Sequence, residues 1–179
     1  MRKLIAAALL ALAACASPQQ HRETTTYALT PADASTALLS GDRLSVQRTV
    51  YEAPEGQDPL IQFTLRHSDG RVMMFQAANH APENVMAQAP GGALAQVMGL
   101  FGDEAPVLYA QHTPQSSGAP FICAPSGPLY IGYYEAADGA VQIVGLKQAI
   151  EFETRPDGSS DAIPYSPDQV CARLRLRRG

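Results

Sequence analysis

Four histidines, His21, His67, His80 and His112, are the first residues to weigh as bases or metal ligands. None stands four residues from another, and none shares a Cys/His cluster with zinc spacing, so the sequence offers no metal site and implies no cofactor. Ser126-Gly127 forms a turn pair whose hydroxyl would need a base that no neighbouring residue supplies. Gly91-Gly92 is too short for a phosphate cradle and lacks a following Lys. Glu151 and Glu153 share one side of an extended segment, the usual arrangement of a solvated face. No catalytic set is legible, which favours a non-catalytic protein. Two groups suit binding instead. Tyr130, Tyr133 and Tyr134 combine apolar rings with polar tips on alternating sides of one segment. Arg173, Arg175, Arg177 and Arg178 form a basic stripe that matches carboxylates or phosphates on peptidoglycan, lipopolysaccharide or an acidic partner. The same stripe also reads as a solvated edge that discourages sheet-to-sheet pairing.

The N-terminus carries a different kind of signal. Arg2 and Lys3 precede the eleven apolar residues from Leu4 to Ala14. A helix of that length spans about 17 Å at ~1.5 Å per residue, against a hydrocarbon core of about 30 Å, so it is a secretory leader rather than an anchor. Leu12-Ala13-Ala14-Cys15 resembles the lipobox of bacterial lipoproteins. The resemblance covers residues 1–15. It implies removal of residues 1–14, acylation of Cys15, and attachment through two or three chains, since one chain binds only marginally. Ala16, where that class uses Asp for inner-membrane retention, implies the outer membrane of a Gram-negative cell, with the folded part in the periplasm.

Charge agrees with an anchor made of lipid. The chain has 13 Lys+Arg against 17 Asp+Glu, a net −4, which excludes a strongly basic nucleic-acid binder. Losing Arg2 and Lys3 with the leader makes the body more acidic, so an anionic membrane surface repels it. Of three cysteines, Cys15 goes to lipid. Cys123 and Cys171 remain, an even number in an oxidising compartment, and they predict one disulfide. The bridge closes a loop of about 48 residues, worth roughly 4 kcal/mol by chain entropy.

The elements that must position these residues follow from pattern. Cys15 and the polar stretch to residue 29 read as a lipidated start and flexible tether with a reach of about 20 Å. Residues 30–179 form a single globular domain. Thr30-Pro31-Ala32-Asp33 predicts a helix over 31–39. Residues 43–51, 59–67 and 71–77 read as strands. A three-residue turn at Ser68-Asp69-Gly70 pairs His67 with Arg71. It sets Ile61, Phe63 and Leu65 on the face of Met73, Phe75 and Ala77, whereas a two-residue turn would oppose Phe63 with Gln76. Pro82 to Met86 suggests a short helix. Leu94, Val97, Met98 and Phe101 make a helical stripe closed by Gly102. Further strands are expected at 106–111, 128–136, 140–147 and 149–154, with a Pro/Ser/Gly-rich loop at 112–127 around Cys123. Ser166-Pro167-Asp168-Gln169 predicts one capped helical turn, then a strand over 171–177 with Cys171 on the arginine side.

The expected architecture is α+β: an antiparallel β-sheet of about six or seven strands with two or three short helices packed on it. The function class that fits is a lipid-anchored cell-envelope binding or accessory module. Its partners would be the membrane through the anchor and an envelope protein or glycan. An inhibitor of a hydrolase such as lysozyme and an envelope hydrolase with a dispersed active site are the alternatives.

Overall fold

A computed structural model describes residues 20–31, 43–78, 82–112, 116–163 and 166–178. The leader, Cys15 and the helix expected at 31–39 lie outside the described residues, apart from Pro31, which ends a strand.

Eight strands close into an antiparallel barrel. They are β1 (Gln20–Pro31), β2 (Arg43–Tyr51), β3 (Leu60–His67), β4 (Val72–Ala77), β5 (Val107–Gln111), β6 (Tyr130–Glu135), β7 (Val141–Leu146) and β10 (Val170–Arg178). Each pairs with its neighbours in sequence, and β10 returns to β1. The hairpin β8 (Phe152–Thr154) and β9 (Ser160–Ala162) stands outside the barrel as a separate two-stranded ribbon between β7 and β10.

The β3–β4 hairpin has the expected register. His67 N–H donates to Arg71 O, Leu65 opposes Met73, and Phe63 opposes Phe75. Gly70 takes the left-handed φ of +94° that the three-residue turn requires. One face of each strand then points inward. Tyr27, Leu44, Phe63, Leu65, Phe75, Tyr109, Ile131, Ile143 and Leu174 fill the interior. An eight-stranded barrel is just wide enough for side chains to fill, so the interior is a packed core and not a channel. The outer wall carries Arg22, Arg43, Arg66, Arg175 and Arg177, all exposed. That polarity is the reverse of a membrane-spanning barrel, whose apolar band faces lipid.

The connection 78–106 holds two short helices, α1 (Pro82–Ala87) and α2 (Ala93–Met98). They pack on the outside of β5, β6 and β7. Leu94 and Met98 lie over Gly132, where a Cβ would come 2.6 Å from Leu94 Cδ1 and 3.1 Å from Met98 Sδ. The missing side chain is what allows this close approach.

The structure corrects four expectations. The sheet has eight strands and no edge, so the arginines of β10 do not guard one; β10 lies between β1 and β7. The polar tether is shorter than expected, because β1 begins at Gln20. Only Tyr27 among its described side chains is fully buried, which leaves no apolar alternation to read. The helical stripe stops early. Gly99 adopts φ +69° and its N–H caps Ala95 and Gln96, so Phe101 lies beyond the helix and is 83% exposed. A β-bulge between Val170 and Ala172 breaks the strand period and turns Cys171 to the inner side. The capped turn at Pro167–Gln169 forms as expected, with both halves of its capping box made.

Candidate functional site

The antiparallel order gives the barrel two ends. One gathers the start of β1 with the connections 52–59, 78–106 and 136–140. The other gathers the 68–71 turn, the connection 112–129, and the segment 147–169. The second end carries the site.

The connection 112–129 first runs beside β4, where Val72 and Ser117 exchange backbone hydrogen bonds. It then turns into the barrel mouth. Phe121 and Ile122, 6% and 1% exposed, join the interior core and plug this end. Cys123 follows at φ +56° and bonds to Cys171, with Cα atoms 5.2 Å apart. Gly145 makes room for the bridge: a Cβ there would come 2.6 Å from Cys123 Sγ. The expected pairing is therefore present, seated at the inner rim by the bulge rather than on the arginine face.

Outside the plug lies a cleft of about 960 Å³. Phe121, Pro120, Pro125, Leu129 and the disulfide supply its apolar surface, and Arg71 and Lys147 supply two positive charges. The Ser126 side chain adds a hydroxyl. Arg71 is held in place. Its guanidinium lies 5.5 Å over the Phe121 ring, and its Nε donates to Asp69 Oδ2 at 2.6 Å. Asp69 Oδ1 accepts the Arg71 N–H and stands 2.9 Å from His67 Nδ1. The Arg71 backbone N–H, then the His67 and Arg71 side chains, hold the Asp69 carboxyl down at about 2. His67 itself is buried, its ring 5.3 Å from Phe121 and beneath the plug.

The chemistry of this lining is recognition. Two cations beside an apolar floor suit an anionic group joined to apolar surface. Among the described residues, no carboxylate or imidazole lines the cleft to activate Ser126. No family model, curated protein or solved structure matches the chain. The inference to function therefore rests on this geometry and on the sequence.

The surface residues singled out in the sequence do not assemble into one face. The barrel wall separates the tyrosines. Tyr133 points inward, its ring 4.9 Å from Phe63, and its hydroxyl donates to Glu135 at 2.9 Å. Tyr130 and Tyr134 point outward against the helix layer, and the Tyr134 hydroxyl donates to Glu104. Burial and then the Glu135 contact push the Tyr133 hydroxyl pKa far up, and burial raises that of Tyr109. Arg173 is used structurally: its Nη1 donates to Val97 O at 2.6 Å, tying β10 to α2. Arg175 and Arg177 are exposed on the outer wall, away from the cleft. Arg71, Lys147, Phe121 and Leu129 were not legible as site residues. Only the paired cysteines pointed to this end, because the bridge forces the 112–127 loop against the start of β10.

Proposed function

We propose that this chain is a lipid-anchored cell-envelope protein of the outer membrane. In this reading it acts as a non-catalytic module whose cleft takes a carboxylate-bearing peptidoglycan fragment. The lipobox-like Leu12-Ala13-Ala14-Cys15 supports the anchor. The Cys123–Cys171 bridge suits an exported, oxidised compartment. The observation that carries the binding reading is the cleft itself, where Arg71 and Lys147 flank an apolar floor. A stem peptide offers carboxylates for the cations and aliphatic surface for Phe121 and Leu129.

Calorimetric titration of the purified lipidated protein with anionic muropeptides tests this. Binding is expected, and Arg71→Ala or Lys147→Ala should each weaken it about tenfold, the effect of ~1.5 kcal/mol for a charge-assisted contact. Equal affinity for fragments with amidated carboxylates, or unchanged affinity in both variants, would refute the reading.

One observation favours a second reading. The β8–β9 ribbon is a sheet separate from the barrel; its Phe152 packs on the outer apolar layer, and it exposes Glu153, Asp157 and Asp161 beside Arg155. An exposed acidic ribbon is a surface that meets a cationic enzyme cleft, as an inhibitor of a hydrolase such as lysozyme would use. Lysozyme rates measured with and without the protein decide it. Inhibition lost on replacing Glu153 and Asp161 with Ala would favour this reading over the first. A hydrolase with a dispersed active site has less support, because the described residues of the cleft include no base beside its hydroxyl.

A further inference from the structure

The barrel end at which β1 begins exposes apolar side chains that the fold leaves uncovered. We propose that this end rests on the lipid bilayer and that Phe101 is the side chain that enters it. The inference deepens the lipid-anchor reading and rests on it.

Reach sets the orientation. β1 begins at Gln20, five residues beyond Cys15. Five residues span at most about 17 Å when fully extended. An acylated Cys15 therefore keeps the Gln20 end close to the membrane and points the cleft, at the opposite mouth, into the periplasm. The same end is where β3 starts at Leu60, and where the connection 78–106 both leaves and re-enters the barrel.

Among the described residues, Leu60 (41%), Val85 (54%), Met86 (46%) and Phe101 (83%) lie at the Gln20 end or on that connection, while Leu129 (55%) and Ile163 (43%) lie at the cleft end. Large apolar side chains gathered in water mark a contact surface, and at the Gln20 end they are more numerous and include the most exposed one. Phe101 is the most exposed of them, and its position is fixed. Leu100 before it is buried, its own N–H donates to Glu104 Oε2 at 3.1 Å, and Glu104 Oε1 accepts from Tyr134 on the barrel wall. The turn thus holds a phenyl ring outward by contacts on both sides of it.

Charge specifies the kind of bilayer contact. Glu52, Glu55, Asp58, Asp103 and Asp138 are exposed at or near this end and outnumber the exposed Arg22, Arg177 and Arg178 there, so the end as a whole repels anionic headgroups. Seating is therefore apolar, aided by the anchor, and weakens as the anionic lipid fraction rises.

The chain has no Trp, so a single introduced one reports alone. Lipidated Phe101→Trp is reconstituted into phosphatidylcholine vesicles with and without brominated acyl chains. Its emission is expected to shift to the blue and to fall to about half with brominated lipid, as for a side chain seated at the headgroup–acyl boundary. Leu129→Trp, at the cleft end, should remain quenchable by aqueous iodide and insensitive to bromine. Added phosphatidylglycerol should reduce the bromine effect at position 101. Iodide quenching of Phe101→Trp as strong as that of Leu129→Trp overturns the inference, and so does a blue shift without bromine quenching, which would mean a protein contact. Mass spectrometry of the same sample separates the two levels. An unacylated Cys15 removes the anchor reading and this inference with it, whereas an acylated Cys15 with a water-exposed Trp removes this inference alone.

Discussion

Reducing the Cys123–Cys171 bridge should destabilise the protein strongly without opening its plugged mouth. The bridge spans a separation of 48 residues that includes β6, β7 and the β8–β9 ribbon. Freeing that loop in the unfolded chain costs the native state roughly 4 kcal/mol of relative stability. For a domain of this size each kcal/mol moves Tm by about 2–4 °C, so reduction should lower Tm by about 8–16 °C. The plug has its own source of stability. Phe121 and Ile122 are almost fully buried in the barrel core, and each buried side chain of this kind contributes roughly 1.5–3 kcal/mol. Their sum is comparable to the bridge term. The loop should therefore stay seated at 25 °C with the thiols free. Circular-dichroism melts with and without reductant measure the first effect. Amide exchange reads the second, through Gly127 N–H bonded to Cys123 O and Leu129 N–H bonded to Leu146 O. Those amides should remain protected in the reduced protein. A Tm change of under 2 °C would refute the entropic argument. A large drop with simultaneous loss of both protections would show that the bridge, and not the buried pair, holds the loop.

Two other perturbations probe parts of the fold that place the site. Gly132→Ala puts a Cβ 2.6 Å from Leu94 Cδ1 in a fully packed layer, so it should cost roughly 1–3 kcal/mol in denaturant unfolding. Asp69, held at about 2 from an ordinary 3.8, adds stability that is full above pH 3.8 and is lost as pH falls through that value toward 2. Asp69→Asn should remove this acid dependence and, followed by NMR, loosen the 68–70 turn and Arg71 at neutral pH.

How much of this was legible depended on whether a local rule had one solution. The β3–β4 hairpin was readable because only a three-residue turn places Phe63 and Phe75, and Leu65 and Met73, on a common face. The turn before β10 was readable because Ser166 and Gln169 form a self-contained capping box. β1 was not, because among its described side chains only Tyr27 is buried, so hydrophobic periodicity is absent. Its identity comes from pairing with both β2 and β10, the latter some 150 residues away in sequence. Cys171 misled for a related reason: a bulge shifts register by one, and nothing in Val170-Cys171-Ala172 announces it. Arg71 and Lys147 meet only when the barrel closes and the bridge forms, so no spacing rule connects them.

The filled interior decides where function can reside. A barrel of this strand number can hold one small ligand if its core is left open, but Phe63, Phe75, Tyr109 and Ile131 occupy the centre and Phe121 and Ile122 stop one mouth. Ligand chemistry is thereby displaced to the rims and the outer wall. On the outer wall between β5 and β7 the helices already cover the apolar surface, and Arg173 is committed to α2. What remains is unequal at the two ends. The disulfide end pairs Arg71, held by Asp69, and Lys147 with apolar surface in a recess, while the Gln20 end presents a turn that leaves Phe101 83% exposed. A recess with charge suits a soluble ligand, and an exposed apolar ring suits an interface. On the proposal that Cys15 is acylated, its position five residues from Gln20 orders the two ends along the membrane normal, and exchanging the exposed side chains between the ends should exchange which end partitions into lipid.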